Sequence, residues 1–478
     1  MAGDRDSDSR GVGRRRSGSR GASPFVNHEA AIAFLNATIN IERVRPEKVS
    51  SEVWKLDRMR ALMSALGNPQ DGLEIVHIAG SKGKGSVCNM LEGALEGCGY
   101  TTGVFTSPHL VDIRERVRVG GVPITESAFD RALASCRSAA GSVEGEHGKA
   151  TYFELLTALA LVVFAEQAVD LVVLETGLGG RLDCTNVVQP RVVGLTSIHL
   201  EHTQILGDTL ERIAGEKAGI IKPGTVAISV AQDPCVLEVF RNQAESVGAS
   251  LRVLGEGIDG GVLYTERFQS GVRGGPNAFV CVGEEGVGFE HVGVPLMGMH
   301  QAPNCGLVLG VLLALREMGF DLPEIGVLAG LAQVRPQARL EQVLERPRIM
   351  IDGAHTTESV RSVMRAVAAH LDYDSLIVVF GCASDKDAEG MVDALAMGAD
   401  KVVFTRSSNN PRACDPEFLL SRGQARGGYM CESALGVREA INNAAAACDP
   451  AQDLILVMGS FYIAGEAKHL IESKLAKR

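Results

Sequence analysis

Residues 75–95 read IVHIAGSKGKGSVCNMLEGAL and place a loop rich in glycine and lysine between two apolar segments. Ile75, Val76 and Ile78 predict a buried strand. The apolar residues after the loop recur every three to four positions, which is typical of one face of a helix. The stretch therefore predicts a strand, a tight loop and a helix in direct succession.

The loop itself has the composition of a phosphate-binding loop. Gly80, Gly83 and Gly85 permit close approach of the backbone to a ligand, and the start of the helix supplies free N–H groups and a positive dipole. Lys84 can reach a β- or γ-phosphate. The match to G-x-x-x-x-G-K-[ST] is imperfect, since Ile78 stands at the first glycine position. The loop predicts ATP binding, with a glycine-rich turn carrying exposed lysines as the alternative.

Composition limits the classes of protein to consider. The chain has 478 residues and a mass of 50.6 kDa, which is long enough for two or more domains. The net charge of −11 argues against a nucleic-acid partner or an anionic membrane surface. Eleven cysteines without a C-x-x-C pair predict reduced thiols, not a disulfide framework or a metal knot.

Residues 1–24 differ from the rest, because Arg, Ser, Gly and Asp dominate and little could be buried. We predict a disordered basic tail there, and neither a signal peptide nor a transit peptide. The apolar runs fall short of the roughly 20 residues that a membrane span requires. We therefore expect a protein without a membrane partner, located in the cytoplasm.

From Ile75 to about Val230, strand-like and helical segments alternate, which predicts an α/β fold with a parallel sheet covered by helices on both faces. Residues 251–296, including RVLG at 252–255, predict a small antiparallel β elaboration, and a helix follows at about 302–318. Alternation resumes near Arg335. We predict an ATP-binding domain over residues 25–333, similar to P-loop ATPases, and a smaller Rossmann-like domain over 334–478, joined around residues 330–336.

Polar residues stand at the ends of two further predicted strands, where ligands bind in such sheets. Glu175 ends the strand LVVLE and suits a Mg²⁺ ion that bridges phosphates, although a structural capping role fits as well. His199, Glu201 and His202 follow the next strand. The helix after them, capped by Asp208 or Thr209, is expected to keep Lys217 off its apolar face and point it into a cleft.

Several blocks together resemble the folylpolyglutamate synthase and dihydrofolate synthase family, which belongs to the same ligase superfamily as the muramyl-peptide ligases. The resemblance covers about residues 66–466. The blocks are GSKGKGS (80–86), FTSPHL (105–110), ERVRV (115–119), TYFELLTALA (151–160), ETGLGGRLDCTN (175–186), EHTQILG (201–207), EKAGIIK (216–222), GMHQAPN (298–304), DGAH (352–355) and GSFYIAGE (459–466).

The resemblance implies an ATP-dependent ligase that adds L-glutamate to a folate, or to dihydropteroate, through an acyl phosphate. The implied cofactors are ATP and two Mg²⁺ ions, with a monovalent cation as a further candidate. The implied catalytic residues are Lys84, Glu175, His202 and Lys217. Metal ligands would be Ser107, Glu175, His202 and a carbamylated Lys217. The implied ATP-binding residues are Gly80, Ser81, Lys82, Gly83, Lys84, Gly85, Ser86, Asn304, Arg339, Asp352 and His355.

The chain also departs from the family pattern. The usual TNGKGS reads SKGKGS, the usual Asp-His reads Glu201-His202, and Thr356 replaces the asparagine of DGAHN. The block W-x-P-G-R-x-E becomes RPQARLE around Arg339. A muramyl-type ligase, a non-catalytic nucleotide-binding protein and a dinucleotide-dependent oxidoreductase are the alternatives. The folate acceptor is left open at this stage, and we expect a monomer.

Overall fold

The computed structural model describes residues 25–40, 56–255, 264–268, 278–283, 288–335, 337–408 and 410–475. The predicted tail at 1–24 lies outside them. Two α/β sheets organise the described residues, one on each side of residue 334. The α/β fold with two sheets is confirmed, whereas the domain limits 25–333 and 334–478 stay a prediction.

The first sheet has eight strands in the order β4-β3-β2-β5-β1-β6-β7-β8. All neighbours pair in parallel except at one edge, where β3 and β4 run antiparallel. The strands are β1 (Ile75–Ala79), β2 (Thr102–Phe105), β3 (Val117–Val119), β4 (Val122–Pro123), β5 (Leu171–Glu175), β6 (Val192–Leu195), β7 (Val226–Ser229) and β8 (Ser250–Val253).

Helices cover both faces of this sheet, as expected for strands whose residues are buried on both sides. They are α1 (His28–Asn36), α2 (Leu56–Ala65), α3 (Lys84–Gly97), α4 (Glu126–His147), α5 (Tyr152–Glu166), α6 (Thr203–Leu206), α7 (Leu210–Ala218), α8 (Pro234–Val247), α9 (Gln301–Glu317) and α10 (Glu324–Gln333). Among these, α5 begins with a capping box, in which Glu154 accepts from the Thr151 N–H at 2.8 Å and donates its own N–H to the Thr151 hydroxyl.

The predicted antiparallel elaboration exists as the three-stranded sheet β11-β10-β9, formed by β9 (Tyr264–Phe268), β10 (Ala278–Val282) and β11 (Phe289–Gly293). The assignment of RVLG to it was wrong. Those residues overlap β8, which pairs in parallel with β7 at the edge of the large sheet. Gly330, the first residue of the predicted joint at 330–336, lies inside α10, which ends at Gln333. A Cβ there would come within 1.9 Å of the Gly93 carbonyl oxygen of α3.

The second sheet has six strands in the order β12-β13-β17-β14-β15-β16. They are β12 (Glu341–Leu344), β13 (Arg348–Ile351), β14 (Leu376–Phe380), β15 (Lys401–Phe404), β16 (Met430–Ser433) and β17 (Leu454–Met458). Its helices are α11 (Thr357–His370), α12 (Ala388–Leu395), α13 (Pro416–Arg426), α14 (Val437–Ala447) and α15 (Phe461–Leu475). Separate apolar clusters fill its two faces.

All eleven cysteines are free thiols, as composition predicted. Among the described helices, none combines the length and apolarity that a membrane crossing requires.

Candidate active site between the two sheets

The glycine-rich loop joins β1 to α3, as predicted, and two of its glycines have no room for a side chain. Gly80 has a φ of 150°, and a Cβ there would lie 1.7 Å from the Thr196 hydroxyl oxygen at the end of β6. Gly83 has a φ of 93°, and its Cβ would lie 2.5 Å from Oδ1 of Asn304. The loop is therefore pressed between β6 and α9 in a backbone shape that glycine adopts without strain.

The loop is also fastened to the segment that follows β6. The backbone N–H groups of Ser81 and Lys82 donate to the Ser197 carbonyl at 2.9 and 3.4 Å. The Ser81 hydroxyl donates to the His199 carbonyl at 3.1 Å and accepts from the His199 N–H at 3.0 Å. The segment that carries Glu201 and His202 is thus held against the phosphate loop.

Three lysines gather around one carbonyl and one carboxylate. Lys84 and Lys217 donate to the same Gly80 carbonyl, at 3.0 and 2.8 Å. Glu201 accepts from Lys217 at 3.4 Å and lies 3.5 Å from the Lys82 ammonium. Burial acts to raise the pKa of Glu201, but the three lysines outweigh burial and lower it. Glu201 is a site residue that the sequence-based list omitted.

Lys217 lies deeper than its helical position suggested. The residue is 1% exposed and belongs to the buried face of α7 with Ile213, Ala214 and Ala218, so the expectation that it lies off that face was wrong. Thr209 caps this helix by accepting from the Arg212 N–H. Burial lowers the pKa of Lys217 to about 8, and the charge of Lys84 contributes.

Glu175 ends β5 beside the start of α3. Its Oε2 accepts from the Ser107 N–H at 2.9 Å, and a Cβ on Gly85 would lie 3.8 Å from the same oxygen. Burial raises the pKa of this carboxyl group, while the nearby Lys84 opposes that effect. The structure therefore brings Glu175 and Ser107 together at the loop, as the sequence predicted.

His202 occupies the first position before α6 in a left-handed conformation, with a φ of 49°. Its side chain keeps a solvent-exposed part, yet desolvation lowers its pKa to about 4 and leaves the imidazole neutral. No cluster of three or more His, Cys, Asp or Glu side chains suited to a metal occurs in the described part of the chain.

The start of α9 contacts the phosphate loop through Gln301, which is not among the site residues expected from the sequence. Gln301 donates to the Ser86 hydroxyl at 3.4 Å and accepts from the Asn304 amide at 3.0 Å. Asn304 thereby connects to Ser86 through Gln301. Gln301 could have been found from the sequence, because it lies with Asn304 in the block GMHQAPN.

Arg339 lies just before β12, in a segment with a strained backbone. Ala338 and Leu340, on either side of Arg339, have φ values of 46° and 50°, which non-glycine residues rarely adopt. Asp352 braces this segment, since its carboxylate accepts from the Leu340 N–H at 2.9 Å and from the Ala354 N–H at 2.8 Å. Burial raises the pKa of Asp352, against the charge of Arg339.

Arg339 and His355 both pack against Phe461, at the start of α15. The Arg339 guanidinium lies 4.9 Å from the Phe461 ring centre, and the His355 ring centre lies 5.9 Å from it. Arg339 and Phe461 line a cleft whose opposite wall contains Ser86, Glu175 and Ser107. The cleft thus joins the phosphate loop of the first sheet to the cationic segment of the second.

Comparison with known proteins is consistent with this two-sheet site. Residues 78–312 match the family described as the Mur ligase middle domain, and residues 338–461 match the Mur ligase, glutamate ligase domain. The chain is 33% identical over 417 residues to the dihydrofolate synthase/folylpolyglutamate synthase of Bacillus subtilis, covering 86% of this chain and 94% of that one. The chain belongs to the folylpolyglutamate synthase and dihydrofolate synthase family. It is accordingly an ATP-dependent ligase.

Solved structures of this family share the fold. The Mycobacterium tuberculosis folylpolyglutamate synthase complexed with ADP matches with a TM-score of 0.80 and 32% identity, over 93% of this chain and 99% of that one. Escherichia coli FolC in complex with DHPP and ADP matches with a TM-score of 0.77 and 30% identity, over 93% and 98%. The folylpolyglutamate synthase fold therefore extends over both sheets of this chain.

Proposed function

We propose that this enzyme uses ATP to join L-glutamate to a reduced folate, with dihydropteroate as the second acceptor to be tested. The observation that carries the proposal is the cleft in which Ser86, Glu175 and Ser107 face Arg339 and Phe461. The relatives named above, one with both synthase activities in its name and one crystallised with DHPP and ADP, support this substrate class.

Two steps account for the reaction. First, an acceptor carboxylate oxygen attacks the terminal phosphorus of ATP, ADP leaves, and an acyl phosphate forms. Then the uncharged amine of glutamate attacks the acyl carbon to form a tetrahedral intermediate, the nitrogen loses a proton, and the C–O bond to phosphate breaks as phosphate leaves. Phosphorylation is needed because a carboxylate oxygen by itself is a poor leaving group.

The residues of the phosphate loop suit the first step. The backbone of residues 80–86 and the N-terminus of α3 would hold the phosphates, and Lys84 would neutralise charge on the transferred phosphoryl group. We assign Arg339, Asn304, Asp352 and His355 to the nucleotide side of the cleft. Asp352 would act by fixing the segment of Arg339, since both of its oxygens already accept backbone N–H groups.

Glu175 and Ser107 fit one magnesium ion by their chemistry. A buried carboxylate and a hydroxyl are hard oxygen donors, and Oε1 of Glu175 accepts no hydrogen bond from the described residues. Mg²⁺ typically binds one or two carboxylates together with substrate phosphates and water. Bound there, it would neutralise charge on the phosphate oxygens.

A second magnesium site at Lys217 and His202 requires that the amine of Lys217 is carbamylated. As an ammonium group, Lys217 only donates hydrogen bonds, and it contacts the Gly80 carbonyl. Carbamylation would convert it into an anionic oxygen ligand, and this reaction requires the neutral amine. A pKa of about 8 makes that form accessible near neutral pH, in contrast to a lysine with the ordinary value.

The cleft also has to exclude water, because acyl phosphates hydrolyse. Closure of the second sheet over the first would serve that purpose. We further propose that the enzyme acts as a monomer in the cytoplasm, without a nucleic-acid or membrane partner. The net charge of −11 supports the absence of a nucleic-acid or membrane partner, and the eleven free thiols support a reducing compartment.

The test is phosphate release by the purified enzyme with Mg-ATP and glutamate, offering dihydropteroate and tetrahydrofolate in separate reactions. Acceptor-dependent release, with a product heavier by one glutamate residue, would establish the reaction and its acceptor. Activity only with a uridine-diphosphate-muramyl peptide would assign the enzyme to the muramyl branch. No phosphate release with any of the three acceptors would contradict the proposal. In the same assay Lys84→Ala should release little phosphate, and Lys149→Ala, which removes an exposed lysine, is its matched control.

A further inference from the structure

The first of the two lysines of the phosphate loop, Lys82, lies where the family pattern has asparagine. Its ammonium group is 3.5 Å from Oε2 of Glu201, and its side chain is 39% exposed. A separation of 3.5 Å is longer than an ordinary N–H···O hydrogen bond of 2.7–3.2 Å. The pair is therefore loose and partly solvated, and Lys82 can exchange this partner at little cost.

Glu201 does not balance the positive charge around it. Lys82 and Lys217 both lie within 3.5 Å of its carboxylate, and Lys84 shares the Gly80 carbonyl with Lys217. With Glu175, whose carboxylate acts on Lys84, three ammonium groups and two carboxylates leave one positive charge in excess as long as Lys217 carries no carbamate. Such an excess in a partly buried place favours an anion with several oxygens, such as a phosphate group.

Among the described residues on the side of the second sheet, no carboxylate forms an ion pair with Lys82. The groups from that side that act electrostatically with Lys82 are Lys386, which carries the same charge, and His355, whose pKa is lowered to about 4 by burial. Within the described residues, Lys386 has no ion-pair partner of its own. When the cleft closes, positive groups from both sheets therefore approach each other, and an anion between them would relieve the repulsion.

We propose that Lys82 is a second cationic ligand of the terminal phosphate of ATP, and that it leaves Glu201 for this phosphate when ATP binds. Lys84 contacts the phosphates from the start of α3, and Lys82 contacts the terminal one from the opposite end of the loop. Lys82 thereby distinguishes ATP from ADP. This inference rests on the proposed function, since it requires a nucleotide in the loop.

The experiment compares two ligands by calorimetry on the full-length protein with magnesium: ADP and an ATP analogue with a non-hydrolysable β–γ bridge. Lys82→Asn should weaken binding of the analogue about tenfold, the loss expected for one charge-assisted contact, and leave the affinity for ADP within about twofold. Lys82→Arg should keep most of the discrimination. Lys401→Asn, a lysine paired with Glu432 in the second sheet, should change neither affinity.

Other results would overturn the inference. Equal losses for both ligands would mean that Lys82 only maintains the shape of the loop. Unchanged affinities together with a raised KM for glutamate would mean that Lys82 faces the amino acid instead. If the wild-type protein bound neither nucleotide, the proposed function itself would fail, which is a separate outcome.

Discussion

Replacement of Lys217 by methionine should stabilise the enzyme at neutral pH while it abolishes activity. Lys217 is 1% exposed and donates to the Gly80 carbonyl at 2.8 Å. Burial, with help from Lys84, lowers its pKa from 10.5 to about 8, which means that the folded protein disfavours the protonated amine. Methionine has a similar length and no charge, so Lys217→Met removes the buried cation and leaves Lys84 on the carbonyl.

The size of the effect follows from the pKa. A pKa shift of one unit corresponds to about 1.4 kcal/mol of folding free energy, so a pKa lowered from 10.5 to about 8 costs the protonated protein about 3 kcal/mol. Below pH 8 the Lys217 amine is protonated in both the folded and the unfolded state, and the folded wild type bears the whole cost of burying this charge. Between pH 8 and 10.5 the folded state releases its proton and the unfolded state keeps it, so wild-type stability rises with pH. The advantage of Lys217→Met should disappear over this window.

The assay is denaturant unfolding of both proteins across that pH range in buffer freed of carbon dioxide, because a carbamate on Lys217 would remove the titrating amine. The quantity compared is the difference in free energy of unfolding between the two proteins at each pH, which cancels the titration of groups that do not interact with Lys217. Lys149→Met controls for the loss of an exposed lysine. A difference that stays constant from pH 7 to 10.5, or that grows with pH, would refute the reasoning.

Three further outcomes are expected. Lys84→Ala should lower product formation by roughly 10²-fold or more, because the transferred phosphoryl group loses its cation; a near-normal rate would remove the loop from the mechanism. Lys217→Ala should lower activity, and added formate or acetate should restore part of it; an unaffected rate would argue against the carbamate. Gly80→Ala places a Cβ 1.7 Å from the Thr196 hydroxyl oxygen and should abolish nucleotide binding by calorimetry, whereas Gly145→Ala, with no atom within 4 Å, should not.

Most of the architecture could be predicted from the chain alone. The strands β1, β5, β6 and β7 consist mainly of apolar residues, and such segments predict a buried parallel sheet. The error at RVLG has a physical reason. An edge strand such as β8 is only partly buried, with the pattern exposed, intermediate, intermediate, buried, so its sequence does not show which sheet it joins.

Some residues of the site could also be predicted from the sequence, whereas others could be recognised only in the structure. Glu175 could be predicted because it ends an apolar strand, and ends of neighbouring parallel strands meet at one edge. Glu201 was placed at a strand end but given no role, and Gln301 was not singled out, because a charged or amide side chain after a strand or at a helix start has many ordinary roles. Their distances to Lys217 and to Ser86 single them out.

The sequence by itself determined the α/β class, the phosphate loop and its neighbouring strand ends, since apolar period, glycine spacing and strand-end position act locally along the chain. Only the tertiary structure decided the electrostatics. Lys82, Lys84 and Lys217 are up to 135 residues apart in number, yet they meet around the Gly80 carbonyl and Glu201. Whether a lysine is solvated or buried beside two others depends on packing between distant segments, and that packing sets its charge, its partners and its chemistry.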